Sequence, residues 1–519
     1  VNQYETLEYE VFSKRISVHD RYQFEMKLDY LFHPKKAFQR YTMEAFFFLP
    51  SNIGLNADNY QGSDFYCDIH KYIRFKTPVM SFEQLLDVNS TKSPLKKIED
   101  TLHTILQKPD KKLESVFIYE SKLLACIFRS TLRYYVMYIH DKLETILGTK
   151  SSELQEQELL MLAKELKTRC NEIMQRYRQL GLYLLSIGIS DQIRKTHILI
   201  DEFISLSLEH HIYNVLVFIE KYPQTPQRDL FFSEFRDIVI PEQEYRKNKG
   251  YISVIDKRNE DQNLFLYRQG LLKRYSSNIF HLNIRHRDPS VKWHHILYGI
   301  AAGISMIFAT VFGLLAQQWF QNYSASLLFS TVVLYIGKDR IKDLFREIFK
   351  KQSTYWSYDR ESKIYSPTDK VKIGNCKEKF WYLRKNEIPK AVLELRNANI
   401  HDKSYLSLQE FEECVFCYKR AMKLYTAKIN KLHHFVGGLN DIIRFNVHRM
   451  LYKLDEPKKI VPYVKKDSLH TIRCPQNKVY HLNVVFRFTI HDAESQIVKH
   501  ERLRVILNQQ GIQSVEKIL

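Results

Sequence analysis

Glycine is scarce in this chain: 15 residues in 519, where average usage of ~7% would give more than twice as many. Loops that cradle a phosphate need clustered glycines, because only glycine lets the backbone approach that closely. No GxxxxGK[ST], GxGxxG or GxSxG run occurs. That argues against P-loop, dinucleotide-binding and α/β-hydrolase chemistry. HExxH is also missing, and no cofactor or metal is expected from the motifs present.

Disulfide patterning is lacking too. The seven cysteines, Cys67, Cys126, Cys170, Cys376, Cys414, Cys417 and Cys474, are odd in number and scattered, which fits a reducing compartment. The first twenty residues hold no apolar core of a signal peptide. Val1 in place of Met reads as a GTG start and points to a bacterial source.

Negative charge is in deficit. Lys and Arg total 78 against 59 Asp and Glu, a formal net charge of +19. An anionic lipid surface or a nucleic acid would each suit such a chain. Nucleic acid is the poorer fit, because Lys/Arg clusters interleaved with aromatics are missing and the Tyr and Phe fall at core-like spacing.

What is present is one long apolar run. Ile296 to Ala316, ILYGIAAGISMIFATVFGLLA, carries no charge and is close to the ~20 residues that cross a ~30 Å hydrocarbon core. A second apolar stretch, Leu327 to Ile336, follows. The mean hydropathy of -0.36 excludes a polytopic transporter, so the lipid bilayer is met by a two-helix hairpin. Arg285, Arg287 and Lys292 precede it, and Lys338, Arg340, Lys342 and Arg346 follow it. The turn Gln317 to Ser324 is uncharged. By the positive-inside rule both termini are cytoplasmic, at the inner membrane if the source is bacterial. Trp319 and Tyr323 sit at one membrane interface, and Lys338 and Arg340 at the other. Anionic lipid headgroups are a further expected partner. No ionised residue lies within either span, so the hairpin reads as an anchor.

Gly299 and Gly303 form a GxxxG, extended by Ala309 and Gly313. Small residues let helix backbones approach closely. The pattern serves either packing of the first span on the second or a homo-oligomer face. Past Lys338, the residues Ile341, Leu344, Phe345, Ile348 and Phe349 continue as an amphipathic helix.

The expected fold class is α+β and predominantly helical. It comprises an N-terminal antiparallel sheet plus helical bundle, a two-helix transmembrane hairpin, and a C-terminal α+β region. The boundaries are 1–92 (β-rich), 93–222 (bundle), 223–292 (connecting segment), 293–337 (hairpin) and 338–519 (C-terminal). Tyr22 to Phe32 alternates as a half-buried strand, with companions at Arg40 to Pro50 and Tyr72 to Phe75. Ser93-Pro94 starts a helix with Leu95, Ile98, Leu102 and Ile105 on its apolar stripe. Further helices follow from Asp110 to Leu147, Ser152 to Ser186 and Asp191 to Lys221, the third holding Glu209, His210 and His211 in packing or solvent roles. In the C-terminal region, Trp356 to Arg396 reads as mixed with short strands, and Leu406 to Tyr425 as a helix containing Cys414 and Cys417 as buried thiols. Phe435 to Leu454 reads as a helix on which Asp441, Arg444 and His448 gather, the candidate for a catalytic site. Leu482 to Ile490 alternates as a strand, and Arg502 to Ile518 as a hairpin turning at Gly511.

The leading functional expectation is a non-enzymatic membrane-anchored scaffold, adaptor or sensor. A membrane-tethered enzyme acting on a lipid or phosphorylated substrate is the second. An oligomeric pore or transport accessory is the third.

Overall fold

The computed structural model describes residues 12–33, 36–148, 153–186, 188–252, 259–287, 290–319, 325–356, 358–367, 371–398, 413–433, 436–464, 471–491 and 496–518. The architecture is mixed α+β with antiparallel sheets. Two compact units form: Val1–Arg74 with Leu282–His434 and Gly438–Leu519, and Phe75–His281 with Phe435–Gly437.

The first unit carries the strands. In chain order they are β1 (Phe12–Val18), β2 (Gln23–Leu31), β3 (Gln39–Pro50), β4 (Ile69–Phe75), β5 (Asn283–Arg287), β6 (Arg360–Tyr365), β7 (Lys372–Leu383), β8 (Glu413–Leu424), β9 (Gly438–Asn446), β10 (Lys458–Val464), β11 (Thr471–Asn477), β12 (Tyr480–His491), β13 (Gln496–Asn508) and β14 (Gly511–Lys517). An eight-stranded sheet has the order β14-β13-β12-β3-β8-β7-β6-β5. A four-stranded sheet has the order β1-β2-β9-β4, and β10 pairs with β11 alone.

The two larger sheets meet through aromatic rings. Phe24 of β2 stacks on Phe445 of β9 at 5.1 Å between centroids, and Phe445 lies 5.2 Å from Phe47 of β3. Phe47 in turn stacks on Phe416 of β8 at 4.7 Å. The alternation predicted for β2 holds: Phe24, Met26, Leu28 and Tyr30 are buried. Strand β3 departs from alternation, with Phe46, Phe47, Phe48 and Leu49 all buried. Phe46 and Phe48 face the other way, onto Val392 of a short helix (Lys390–Asn397) and onto Val415 and Cys417 of β8. A central strand covered on both faces reads as a continuous apolar run.

Two segments expected as helices are strands. β8 replaces the helix read over Leu406 to Tyr425, although 399–412 lies outside the described residues. β9 replaces most of the helix read over Phe435 to Leu454, leaving one turn at His448–Leu451. In both, apolar residues at i, i+3 and i+4 fitted a helix because strands buried on both faces also show no strict period of two.

The second unit is helical. Beginning with a two-turn piece before β4, the chain's helices up to Ser277 are α1 (Gly62–Asp68), α2 (Phe82–Leu86), α3 (Pro94–Gln107), α4 (Lys111–Gly148), α5 (Glu153–Tyr183), α6 (Asp191–Ile219), α7 (Pro226–Lys249) and α8 (Asn259–Ser277); α1 belongs to the first unit. Ser93 caps α3 as expected, its hydroxyl accepting from the Lys96 amide, with Pro94 in the first turn. Ser152 lies outside the described residues. The stretch 223–292, expected to connect, holds α7 and α8. QTPQRD is the start of α7: the Thr225 hydroxyl accepts from the Arg228 amide, Pro226 opens the helix, and Gly250 closes it at φ 69°. Helix α6 is buried along most of its length and packs on α4, α5, α7 and α8.

Within the first unit, α9 (Ser290–Trp319) and α10 (Ala325–Trp356) pack together. The Arg346 guanidinium lies 5.4 Å from the Tyr298 ring. A Cβ built at Gly337 would meet the Phe308 ring at 3.9 Å. With Trp319 and Ala325 at the turn, these contacts fix an antiparallel register.

Candidate functional site

The three residues singled out for catalysis do not converge. Asp441 and Arg444 are three apart on a strand, so they project to opposite faces of the sheet. Asp441 is fully buried and accepts from Arg420, Nε at 2.7 Å and Nη2 at 3.1 Å. Arg444 pairs with Glu25, Nε to Oε2 at 2.6 Å. His448 is exposed, with its ring edge-on to Tyr22 at 4.9 Å. The i, i+4 relationship between Arg444 and His448 is lost with the helix.

Asp441 instead belongs to a charge cluster between the sheets. Arg360 on β6, Glu378 on β7 and Arg420 on β8 face one another across three adjacent strands. Lys71 reaches in from β4 and donates to both oxygens of Glu378, at 2.7 and 2.6 Å. Arg420 and the Tyr418 hydroxyl also donate to Glu378. Burial raises the cost of the Glu378 charge, yet Arg420 and Lys71 overcome it and hold the carboxyl at about 2. Burial pulls Lys71 below the usual lysine range despite Glu378.

A cavity of about 280 Å³ opens onto this cluster. Lys71, Glu378, Arg420 and Cys376 form its floor, and Arg360, His70 and His286 stand at its mouth. The Arg360 guanidinium stacks over the Tyr66 ring at 4.1 Å. The Ser362 hydroxyl and His286 Nδ1 are 2.8 Å apart. Burial, then the neighbouring Lys71, lowers His286, so the imidazole is held neutral. Burial pushes the Cys376 thiol up to about 12, which makes it a poor nucleophile.

The remaining polar candidates are structural. Cys414 and Cys417 lie on β8, not on a helix, and three residues apart on a strand they face opposite ways. Among the described residues no group of His, Cys, Asp and Glu could hold a metal ion. In the helical unit, Arg178 of α5 binds Glu242 of α7 with both Nη groups, at 3.0 and 2.8 Å, and Asp201 of α6 through Nε at 2.8 Å. Tyr245 and Tyr251 donate to Asp201 Oδ2, the oxygen Arg178 leaves open, and the Ser205 hydroxyl adds a second donor to Glu242 Oε2. Every carboxylate oxygen there has a donor, so this network ties helices together. Glu209 pairs with Arg246, and His211 is buried with no partner on Nε2 among the described residues.

Among the described residues one helix is long and apolar enough to cross a membrane, His295–Trp319 within α9, and only 17% of its apolar window is buried. The core helix of a water-soluble protein would be covered. Ala301, Ser305 and Ala316 form its buried stripe. Gly299 and Gly303 face the other way, and an added Cβ there, as at Gly313, would meet nothing within 4 Å. Ala309 is half-buried. The glycines therefore do not make the contact between the two helices. Trp319 is exposed, Arg340 is exposed and Lys338 is half-buried over the Tyr335 ring; Tyr323 lies outside the described residues.

No protein-family profile matches the chain, and no curated protein or solved structure matches it at a significant level.

Proposed function

We propose that this is a membrane-anchored, non-enzymatic scaffold, adaptor or sensor. The carrying observation is the apolar helix α9, of whose apolar window the described residues bury only 17%. The basic residues flanking the hairpin support cytoplasmic soluble parts and contact with anionic headgroups.

The hairpin register supports a finer reading of which residues enter hydrocarbon. Lys338, Asp339, Arg340, Lys342, Asp343, Arg346 and Glu347 on α10 lie alongside the part of α9 that precedes Phe308. Each ionised side chain at mid-bilayer costs ~2.5–3.5 kcal/mol. The lipid-embedded part is therefore Phe308 to Trp319 with Ala325 to Gly337. The latter is about 20 Å of helix at 1.5 Å per residue, short of the ~30 Å core. Two crossings with both termini cytoplasmic then require local bilayer thinning, with Lys338 and Arg340 extended to the headgroups.

The test has two stages. Full-length protein should pellet with membranes and resist alkaline extraction; recovery in the soluble fraction sinks the anchor. A single cysteine at Gln318, in a cysteine-free background, should then react with an impermeant maleimide from outside intact cells. Protection of that cysteine would replace two crossings by a re-entrant hairpin.

A membrane-tethered enzyme acting on a lipid or phosphorylated substrate is a second reading. It is favoured by the Ser362–His286 contact in a cationic cavity, the geometry of a nucleophile and its base. Against it, Ser366 and His433 make a serine–histidine bond too, through Nε2 at 2.9 Å, in the packed interior. Turnover of a phosphate or carboxylate ester that Ser362→Ala abolishes would establish it. The open Gly299 and Gly303 face supports oligomerisation, as a pore accessory would need, and a detergent-solubilised monomer would remove that reading.

A further inference from the structure

The cavity above Glu378 has an imbalance that packing alone does not require. Its carboxylate is well supplied with donors: both oxygens take Lys71, and Arg420 and Tyr418 add two more on Oε1. Asp441 engages Arg420 but does not line the cavity. What remains unused is donor capacity. An arginine offers five N–H groups and a lysine three. The hydrogen bonds of Arg420 engage Nε, Nη1 and Nη2 once each, which leaves a second hydrogen on each Nη. Lys71 keeps its third hydrogen. Arg360 makes no ion pair among the described residues, and its stack on Tyr66 fixes the plane of the guanidinium while leaving its edges open. Ser362 and the second nitrogen of His286 add polar contacts at the mouth.

We propose that this cavity binds a small phosphate monoester or inorganic phosphate, gripped by Arg360 at the mouth and by Lys71 and Arg420 at the floor. Cations converging from three strands suit a tetrahedral dianion with acceptors on every side better than a planar carboxylate. The volume decides the size of the guest. About 280 Å³ sits at the lower edge of the ~300–1,000 Å³ typical of small-molecule sites, enough for a phosphate on a short carbon skeleton and too little for a nucleotide. Two sources share this chemistry: a soluble phosphate ester and the headgroup of phosphatidic acid. The proposal goes beyond membrane anchoring and stands whether or not the hairpin enters lipid.

The test is calorimetric titration of the full-length protein in dodecylmaltoside with inorganic phosphate, glycerol phosphate and, in a separate arm, phosphatidic acid in mixed micelles. Arg360→Gln is the informative variant, because Arg360 is half-exposed and its loss breaks no ion pair among the described residues. Arg444→Gln, on the opposite face of the four-stranded sheet, is the control. Saturable binding weakened at least about tenfold by Arg360→Gln and unchanged by Arg444→Gln is the expected result. If only the phosphatidic acid arm shows that pattern, the site stands and its ligand is a lipid headgroup. Binding absent from every arm, or equal in wild type and Arg360→Gln, overturns the proposal.

Discussion

Lys71 and Glu378 join the two sheets of the first unit by a salt bridge, with Nζ at 2.7 and 2.6 Å from the two carboxylate oxygens and both side chains almost wholly buried. Arg420 and Asp441 complete a neutral set of two cations and two anions. Removing one partner of a buried pair leaves an uncompensated charge and costs about 3–5 kcal/mol. Lys71→Met should therefore lower stability by that amount in denaturant unfolding. Lys71→Met combined with Glu378→Gln should recover part of it, because Arg420 and Asp441 then balance alone. Additive losses would show that the four side chains do not act as one unit.

The same cluster makes a pH prediction. Glu378 is held at about 2 in the folded chain against an ordinary 4.5. A depressed carboxyl contributes stability above its unfolded value and loses it as pH falls through the folded one. Acidification from pH ~4.5 to ~2 should thus destabilise the wild type more steeply than Glu378→Gln. Parallel curves for the two would contradict the ionised bridge.

His211 titrates in a milder range. Burial, then His210 and two arginines, pushes it down to about 3 from 6.5. The unfolded chain takes up the proton first, so stability is present above ~6.5 and falls towards pH ~3 by at most about 1.4 kcal/mol per unit. His211→Leu should flatten that slope in thermal unfolding from pH ~7 to ~5. An unchanged slope would assign the acid sensitivity elsewhere.

Local signals were legible in the sequence where one face meets solvent or a cap is built from neighbours. Ser93-Pro94, the alternation of β2 and the hairpin at Gly511 depend on residues a few positions apart, and all three recur in the structure. Strand partners were not legible. β2 pairs with β9, and β3 with β8 and β12, across hundreds of residues, so an N-terminal sheet expected to stand apart is completed by C-terminal strands. The charge cluster did leave a trace. Lys71 occupies an apolar slot between Ile69 and Ile73, and Glu378 one between Cys376 and Phe380. A charge on the inner face of a strand needs a buried partner, but no periodicity says which residue that is.

The hairpin gives a prediction that separates its two small-residue stripes. Ala301 and Ser305 are buried, whereas Gly299 and Gly303 face away with open space around them. Close helix approach depends on small side chains at the contact itself. Ala301→Phe should push the helices apart, and Gly303→Leu should not. Cysteines replacing Phe308 and Gly337, whose positions adjoin across the hairpin, should cross-link on mild oxidation in the parent and in Gly303→Leu, and fail to do so in Ala301→Phe. Gly303→Leu has a second readout, because a face that leaves the hairpin intact is free for another copy. If size analysis in detergent shows a dimer that Gly303→Leu dissociates while the cross-link persists, the glycines serve assembly. A dimer unmoved by that change would assign its interface to another surface, and loss of the cross-link would return the glycines to the hairpin contact.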